Sequence, residues 1–143
     1  MNMNEIFKEL MMNQNSWLID IRSKAEWQRD CIPILMEEDS NNNNKNRVAL
    51  ISLYTSPNME LNRSFLQQLQ EIVPNNSNGH YYFLCRSAHR STEAIRLAQE
   101  IGYKECYGVA FHGTNGWIES GLPVANYTDE KEMKKSNSNN NGI

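Results

Sequence analysis

Apolar positions along the chain follow two alternating rhythms. Over residues 4–12, Ile6, Phe7, Leu10 and Met11 fall at the i, i+1, i+4, i+5 spacing of a short amphipathic helix, with Asn4 placed to cap it. Residues 17–22 (Trp-Leu-Ile-Asp-Ile-Arg) form a short, mostly apolar run of the kind that fills a parallel sheet covered on both faces. Asp20 and Arg22 sit at its C-terminal end, the edge where open α/β sheets carry their sites. Ser23 and Glu26 then stand at capping-box spacing and open a second helix, which Cys31-Ile32-Pro33 leaves.

The same alternation repeats twice more. A second buried strand is predicted over 47–54, and after the turn signal Ser56-Pro57-Asn58 a helix over 59–73, with Leu61, Phe65, Leu66, Leu69, Ile72 and Val73 as its apolar face. A third strand covers 81–85, followed by a helix from about 89 to 101 that Gly102 stops. A fourth strand, 105–109, leads through the loop 110–115 to a last helical turn or two over 116–120. Strands alternating with helices at this spacing predict an α/β fold in three layers, a parallel sheet of four to five strands with helices on both faces and right-handed crossovers. One domain is expected over 1–125. The polar, asparagine-rich stretch near 37–46 reads as an exposed, mobile insertion, and 126–143 as a disordered polar tail.

Composition narrows the classes. With 39% hydrophobic and 22% charged residues and a net charge of -3, the chain has a globular make-up and no basic excess to attract nucleic acid. No apolar run approaches membrane-spanning length, and residues 1–5 lack the features of a signal peptide, so a cytoplasmic location is expected, with no membrane partner. Three cysteines at irregular spacing suggest neither a disulfide framework nor a zinc site, and no metal or organic cofactor is expected.

The chemistry is concentrated in Cys85-Arg86-Ser87-Ala88-His89-Arg90-Ser91. An apolar strand ends here in a thiol, at the start of a helix whose unpaired N–H groups and positive dipole end favour a thiolate, with two arginines beside it. His89 lies inside the loop and titrates in the physiological range when unperturbed, though a solvent-facing side chain is the simpler reading. Arg22 and Glu26, four apart, are placed to form an ion pair. Cys31 and Cys106 read as packing residues, with Cys31 as a candidate resolving thiol. His112 falls in the loop that approaches the same mouth, and His80 reads as an exposed loop residue.

Residues 18–22 (Leu-Ile-Asp-Ile-Arg), followed by Glu26-Trp27 and Ile32-Pro33, resemble the opening motif of single-domain rhodanese-like proteins. Residues 85–91 resemble their active loop, and Gly102-Tyr103 with residues 116–124 resemble their closing motif. The resemblance implies a sulfurtransferase in which a loop cysteine takes a sulfane sulfur from thiosulfate or a persulfide donor and passes it to a thiophilic acceptor. Donor and acceptor are then small molecules or proteins of unknown identity. Carried onto this chain, it makes Cys85 the sulfur carrier and the loop Arg86, Ser87, Ala88, His89 and Arg90 the anion cradle, with Asp20, Arg22 and Ser91 in support. Ala88 stands where the family usually has glycine. Four residues separate Cys85 from Arg90, one fewer than in cysteine-dependent phosphatases of similar arrangement, so phosphatase activity is the more distant alternative. A catalytically silent rhodanese-like binding or regulatory module is the nearer one.

Overall fold

The computed structural model describes residues 1–38, 44–86 and 88–129. Four strands form one parallel sheet: β1 (Trp17–Asp20), β2 (Val48–Leu50), β3 (His80–Cys85) and β4 (Glu105–Ala110), in the order β2-β1-β3-β4. Ile19 pairs with Ala49 on one side and Phe83 on the other, and Phe83 in turn with Gly108. Four helices complete the described fold: α1 (Met3–Met12), α2 (Lys24–Asp30), α3 (Phe65–Ile72) and α4 (Ala88–Glu100).

Because strand side chains alternate between faces, the sheet carries two cores. Ile19, Ile21, Ala49, Tyr81, Phe83 and Cys85 point to one face, where Phe65 and Leu69 of α3 and Ala94 and Ala98 of α4 cover them. Leu18, Tyr82, Leu84 and Val109 point to the other, against Met3, Ile6 and Leu10 of α1 and the side chains of Phe111 and Trp117. This is the expected three-layer α/β architecture. No helix among the described residues is long and apolar enough to cross a membrane.

Several elements differ from the sequence expectation. Asn2, not Asn4, caps α1, its Oδ1 accepting from Glu5 N at 2.9 Å. The helix expected from 59 starts only at Phe65, because residues 54–61 fold back as a small antiparallel ladder (Tyr54–Thr55 against Glu60–Leu61) around a cis Ser56-Pro57 bond. Leu61, counted on the apolar face, is consequently exposed. Residues 116–120 form hydrogen-bonded turns, not a helix. The ends of the asparagine-rich stretch are paired rather than loose: Met36–Glu38 runs antiparallel to Asn44–Asn46, while residues 39–43 lie outside the described residues. Beyond the expected domain boundary, Tyr127 packs on Trp27 with ring centroids 5.5 Å apart and Asp129 pairs with Lys24, so order continues to 129; residues 130–143 lie outside the described residues.

Candidate active site

Cys85 is the last residue of β3, a strand with neighbours on both sides, and it is fully buried. Its carbonyl accepts from Phe111 N at 2.8 Å, which ties the strand end to the loop after β4. Arg86 follows in a bend, exposed, and α4 begins at Ala88. Strand, short loop and helix start therefore meet at the C-terminal edge of the sheet, as the hydrophobic pattern predicted. Ser87 and the side chains of Ala88 and His89, named as loop residues, lie outside the described residues.

Beside this edge lies a buried ion pair. Asp20 and Arg22 are two apart at a strand end, hence on one face, and both side chains are fully buried. Arg22 Nε donates to Asp20 Oδ1 at 3.0 Å and Nη2 to Oδ2 at 2.8 Å, a bidentate geometry that adds specificity as well as energy. Nη2 also donates to Cys31 O at 2.8 Å, and the guanidinium carbon lies 3.8 Å from the centre of the Phe111 ring. Burial pushes the Asp20 carboxyl up, with Arg22 opposing it. Ser52 Oγ completes the frame by donating to Arg22 O at 2.8 Å.

The expected Arg22–Glu26 pair is not formed. Arg22 is committed to Asp20, and Glu26 reaches instead across 64 residues to Arg90, with Nη1–Oε1 at 2.7 Å and Nη2–Oε2 at 3.2 Å. Glu26 is held in place by the capping box: Ser23 N donates to its Oε1 at 3.2 Å, and Ser23 Oγ accepts from Glu26 N. Burial works against the Glu26 carboxylate, but the Arg90 and Ser23 hydrogen bonds outweigh it and leave its pKa below the ordinary range. Arg90 is pushed up, first by its hydrogen bond to Glu26, with burial opposing it. Ser91 is buried in the first turns of α4; a Cβ at Gly108 would fall 2.6 Å from its Oγ, so glycine permits the close approach of α4 to β4.

Together these elements enclose an open cleft of about 560 Å3. Ser23, Glu26 and Arg29 of the α2 side form one wall, Ser56, Pro57 and Met59 another, and Arg86 and Arg90 the edge nearest Cys85. Arg29 and the Ser56–Met59 turn were not singled out from the sequence. The 23, 26, 29 spacing on one helix face was the available signal for Arg29, whereas Ser56-Pro57-Asn58 signalled a turn and nothing local gave it a place at a cleft. His112 does not line the cleft; its Nε2 lies 3.7 Å from Asp30 and its ring stands edge-on to Phe111. His80, read as a loop residue, is instead the first residue of β3 at the far end of the sheet. The three cysteines form no disulfide, and burial pushes the Cys31 and Cys106 thiols up.

A parallel α/β sheet with a cysteine at the C-terminal end of an inner strand, arginines around it and a buried Asp-Arg pair on the next strand defines a class of loop-cysteine proteins. The chain belongs to the rhodanese-like domain family, whose description matches residues 3–120. It is 34% identical over 122 residues to an uncharacterized protein, RP600, of Rickettsia prowazekii, covering 82% of this chain and 89% of that one. An uncharacterized protein of Rickettsia conorii, RC0915, is 36% identical over 119 residues, covering 80% and 86%. Among solved structures, Rv0390 from M. tuberculosis superposes with a TM-score of 0.71 at 28% identity, covering 89% of this chain and 96% of that one. A polysulfide-sulfur transferase homodimer from Wolinella succinogenes superposes at 0.60 with 21% identity, covering 91% and 80%, and shares the fold.

Proposed function

We propose that this protein is a sulfurtransferase that carries sulfane sulfur as a persulfide on Cys85. The observation that supports the reading is that Cys85 ends an inner strand whose neighbour β1 runs into the buried Asp20-Arg22 pair, and that the helix following Cys85 carries the Glu26-clamped Arg90. A thiolate there attacks the outer sulfur of thiosulfate. The S–S bond breaks, sulfite leaves with the electron pair, and Cys85 holds the transferred sulfur as a persulfide anion. A thiophilic acceptor such as cyanide then takes that sulfur and regenerates the thiolate, so the cycle needs no external oxidant or reductant.

Each neighbouring group has a part in this scheme. Backbone N–H groups of residues 86–90 cradle the persulfide, Arg86 and Arg90 offset the charge of an anionic donor, and Asp20 with Arg22 holds the strand end from below. Ser91 supports α4 against β4. A second reading, a rhodanese-like binding module without turnover, draws on the full burial of Cys85 and on the engagement of Arg90 by Glu26. One assay separates the two. With thiosulfate and cyanide the protein is expected to yield thiocyanate and, with thiosulfate alone, to gain the mass of one sulfur, both lost in Cys85→Ala. Equal thiocyanate rates from the two proteins refute the sulfurtransferase reading, and no turnover in either favours the silent module.

A further inference from the structure

The outer edge of β2 lies away from the chemistry described so far, and its backbone is open. Arg47 O accepts from Leu18 N at 3.0 Å and Ile51 N donates to Asp20 O at 3.0 Å, so residues 47, 49 and 51 turn their backbone groups to β1. By alternation, Val48 and Leu50 turn theirs outward. β2 is an end strand of the sheet, and no hydrogen bond among the described residues reaches the N–H or C=O of either residue from that side. Edge strands are commonly blunted by a lysine, a proline or a bulge. Val48-Ala49-Leu50 has none of these.

A cavity of about 280 Å3 adjoins this edge. Ile32, Ile34, Val48 and Leu50, each only half-buried, line it together with Ala125 and Tyr127, and no charged side chain does. It is smaller than the roughly 300–1,000 Å3 of sites that enclose drug-sized molecules, and suits one or two apolar side chains. On the α3 side of the sheet the same edge borders a second cleft, where Thr55, Gln68 and Glu71 join Leu50. An extended chain laid along β2 turns alternate side chains to the apolar cavity and to the polar cleft.

We infer that the β2 edge is a strand-addition site for an extended segment of a partner protein in which apolar and polar residues alternate. Main-chain hydrogen bonds to Val48 and Leu50 hold the segment, and an apolar side chain beside Ile34 fixes its register. A small apolar molecule fits the cavity but leaves two donors and two acceptors on the edge unused, whereas a strand takes both features. The inference is independent of the reading of Cys85.

Amide hydrogen exchange on the whole protein at low concentration is the first measurement. The amides of Ala49 and Ile51 are expected to exchange slowly and those of Val48 and Leu50 fast. Slow exchange at Val48 and Leu50 in dilute protein means that the chain's own residues cover the edge, and slowing that appears only as protein concentration rises means that a second copy does; either result overturns the partner segment. The probes are three capped heptapeptides that alternate threonine with valine, leucine or phenylalanine. At least one is expected to bind and to slow exchange at Val48 and Leu50. N-methylating alternate amides of that peptide is expected to weaken binding about tenfold in one phase and little in the other, and serine in place of its central apolar residue to weaken it about tenfold. Val48→Pro, which removes an outward N–H and no bond to β1, is expected to bind about tenfold more weakly; the N-methylated peptides test the same contact on the unaltered protein. No binding by any of the three peptides at about 1 mM, or equal loss in the two N-methylation phases, overturns the site.

Discussion

The two ends of the central sheet use buried charge in opposite ways. At the N-terminal end, Arg47 donates from Nη1 to Asn13 O and Ser16 O and from Nη2 to Leu10 O, closing carbonyls at and beyond the C-terminus of α1. Glu9 accepts there from Asn13 Nδ2, Ser16 Oγ and Tyr82 Oη, and His80 Nδ1 lies 3.0 Å from its Oε1. Burial and the Glu9 carboxylate push the Tyr82 phenol up, so it stays a donor. At the C-terminal end the charges are paired among side chains, and donors remain over: Arg22 Nη1 is buried without a hydrogen-bond partner among the described residues, and Arg86 and Arg29 face an open cleft. At the first end Arg47 finishes the backbone and Glu9 gathers side-chain donors, whereas at the second Arg86 and Arg29 line an open cleft.

This contrast can be broken at either end. The largest effect is expected from Asp20→Asn, which strands a fully buried Arg22 charge and is expected to cost about 3–5 kcal/mol in denaturant unfolding. A loss below about 1 kcal/mol would mean that Arg22 finds other partners and the pair is not what holds the strand end. Next is Arg47→Met, which strips three hydrogen bonds from buried carbonyls; a loss of about 2–4 kcal/mol is expected. Thiocyanate formation per folded molecule is expected to stay unchanged below the new melting temperature, because Arg47 belongs to the finished end.

Glu26→Gln carries a smaller cost, about 1–2 kcal/mol at neutral pH for a charge-assisted pair, and a signature in pH. Since the folded-state pKa of Glu26 is lowered, its ionic contribution is complete above the ordinary glutamate value of about 4.3. It is lost as pH falls through the lower folded value. The stability gap between wild type and variant, measured by chemical unfolding, is therefore expected to be level from about pH 8 to 5 and to narrow below about pH 4; a gap that widens in acid contradicts the assignment. The smallest effect belongs to Cys31, whose φ of 74° and ψ of 178° fall in a region occupied almost solely by glycine. Cys31→Gly is expected to raise stability by about 1 kcal/mol, read as a melting temperature a few degrees higher.

The sheet was legible because its strands are short apolar runs bounded by turn residues, and local pattern decides such elements. The position of Cys85 at the junction of a strand and a helix was legible for the same reason, since it falls where one rhythm gives way to the next. The capping box was also visible in its spacing, and Ser23 and Glu26 form it. The partners of the charges were not. Arg22 and Glu26 stand four apart, but Arg22 belongs to the strand end and not to the helix, so the helical spacing rule does not apply to it. The partner Glu26 does take, Arg90, is 64 positions away, beyond any local signal. The extended start expected for α3 failed because Leu61, four before Phe65, fits the helical stripe by spacing while the chain just before it turns at Met59 with φ of 54°. The long reach of Tyr127 onto Trp27 was hidden by the polar composition around it.

The order β2-β1-β3-β4 also has a bearing on synthesis. β1 is made first, yet its inner flank waits for β3, more than sixty residues later, and until then Leu18 and Ile19 have only the three residues of β2 beside them. A chain emerging from the ribosome therefore keeps a sticky, half-built sheet until the moment Cys85 appears. The segment that carries Cys85 is the same one that covers the inner flank of β1, so a product truncated before residue 80 lacks Cys85 and exposes an aggregation-prone strand flank.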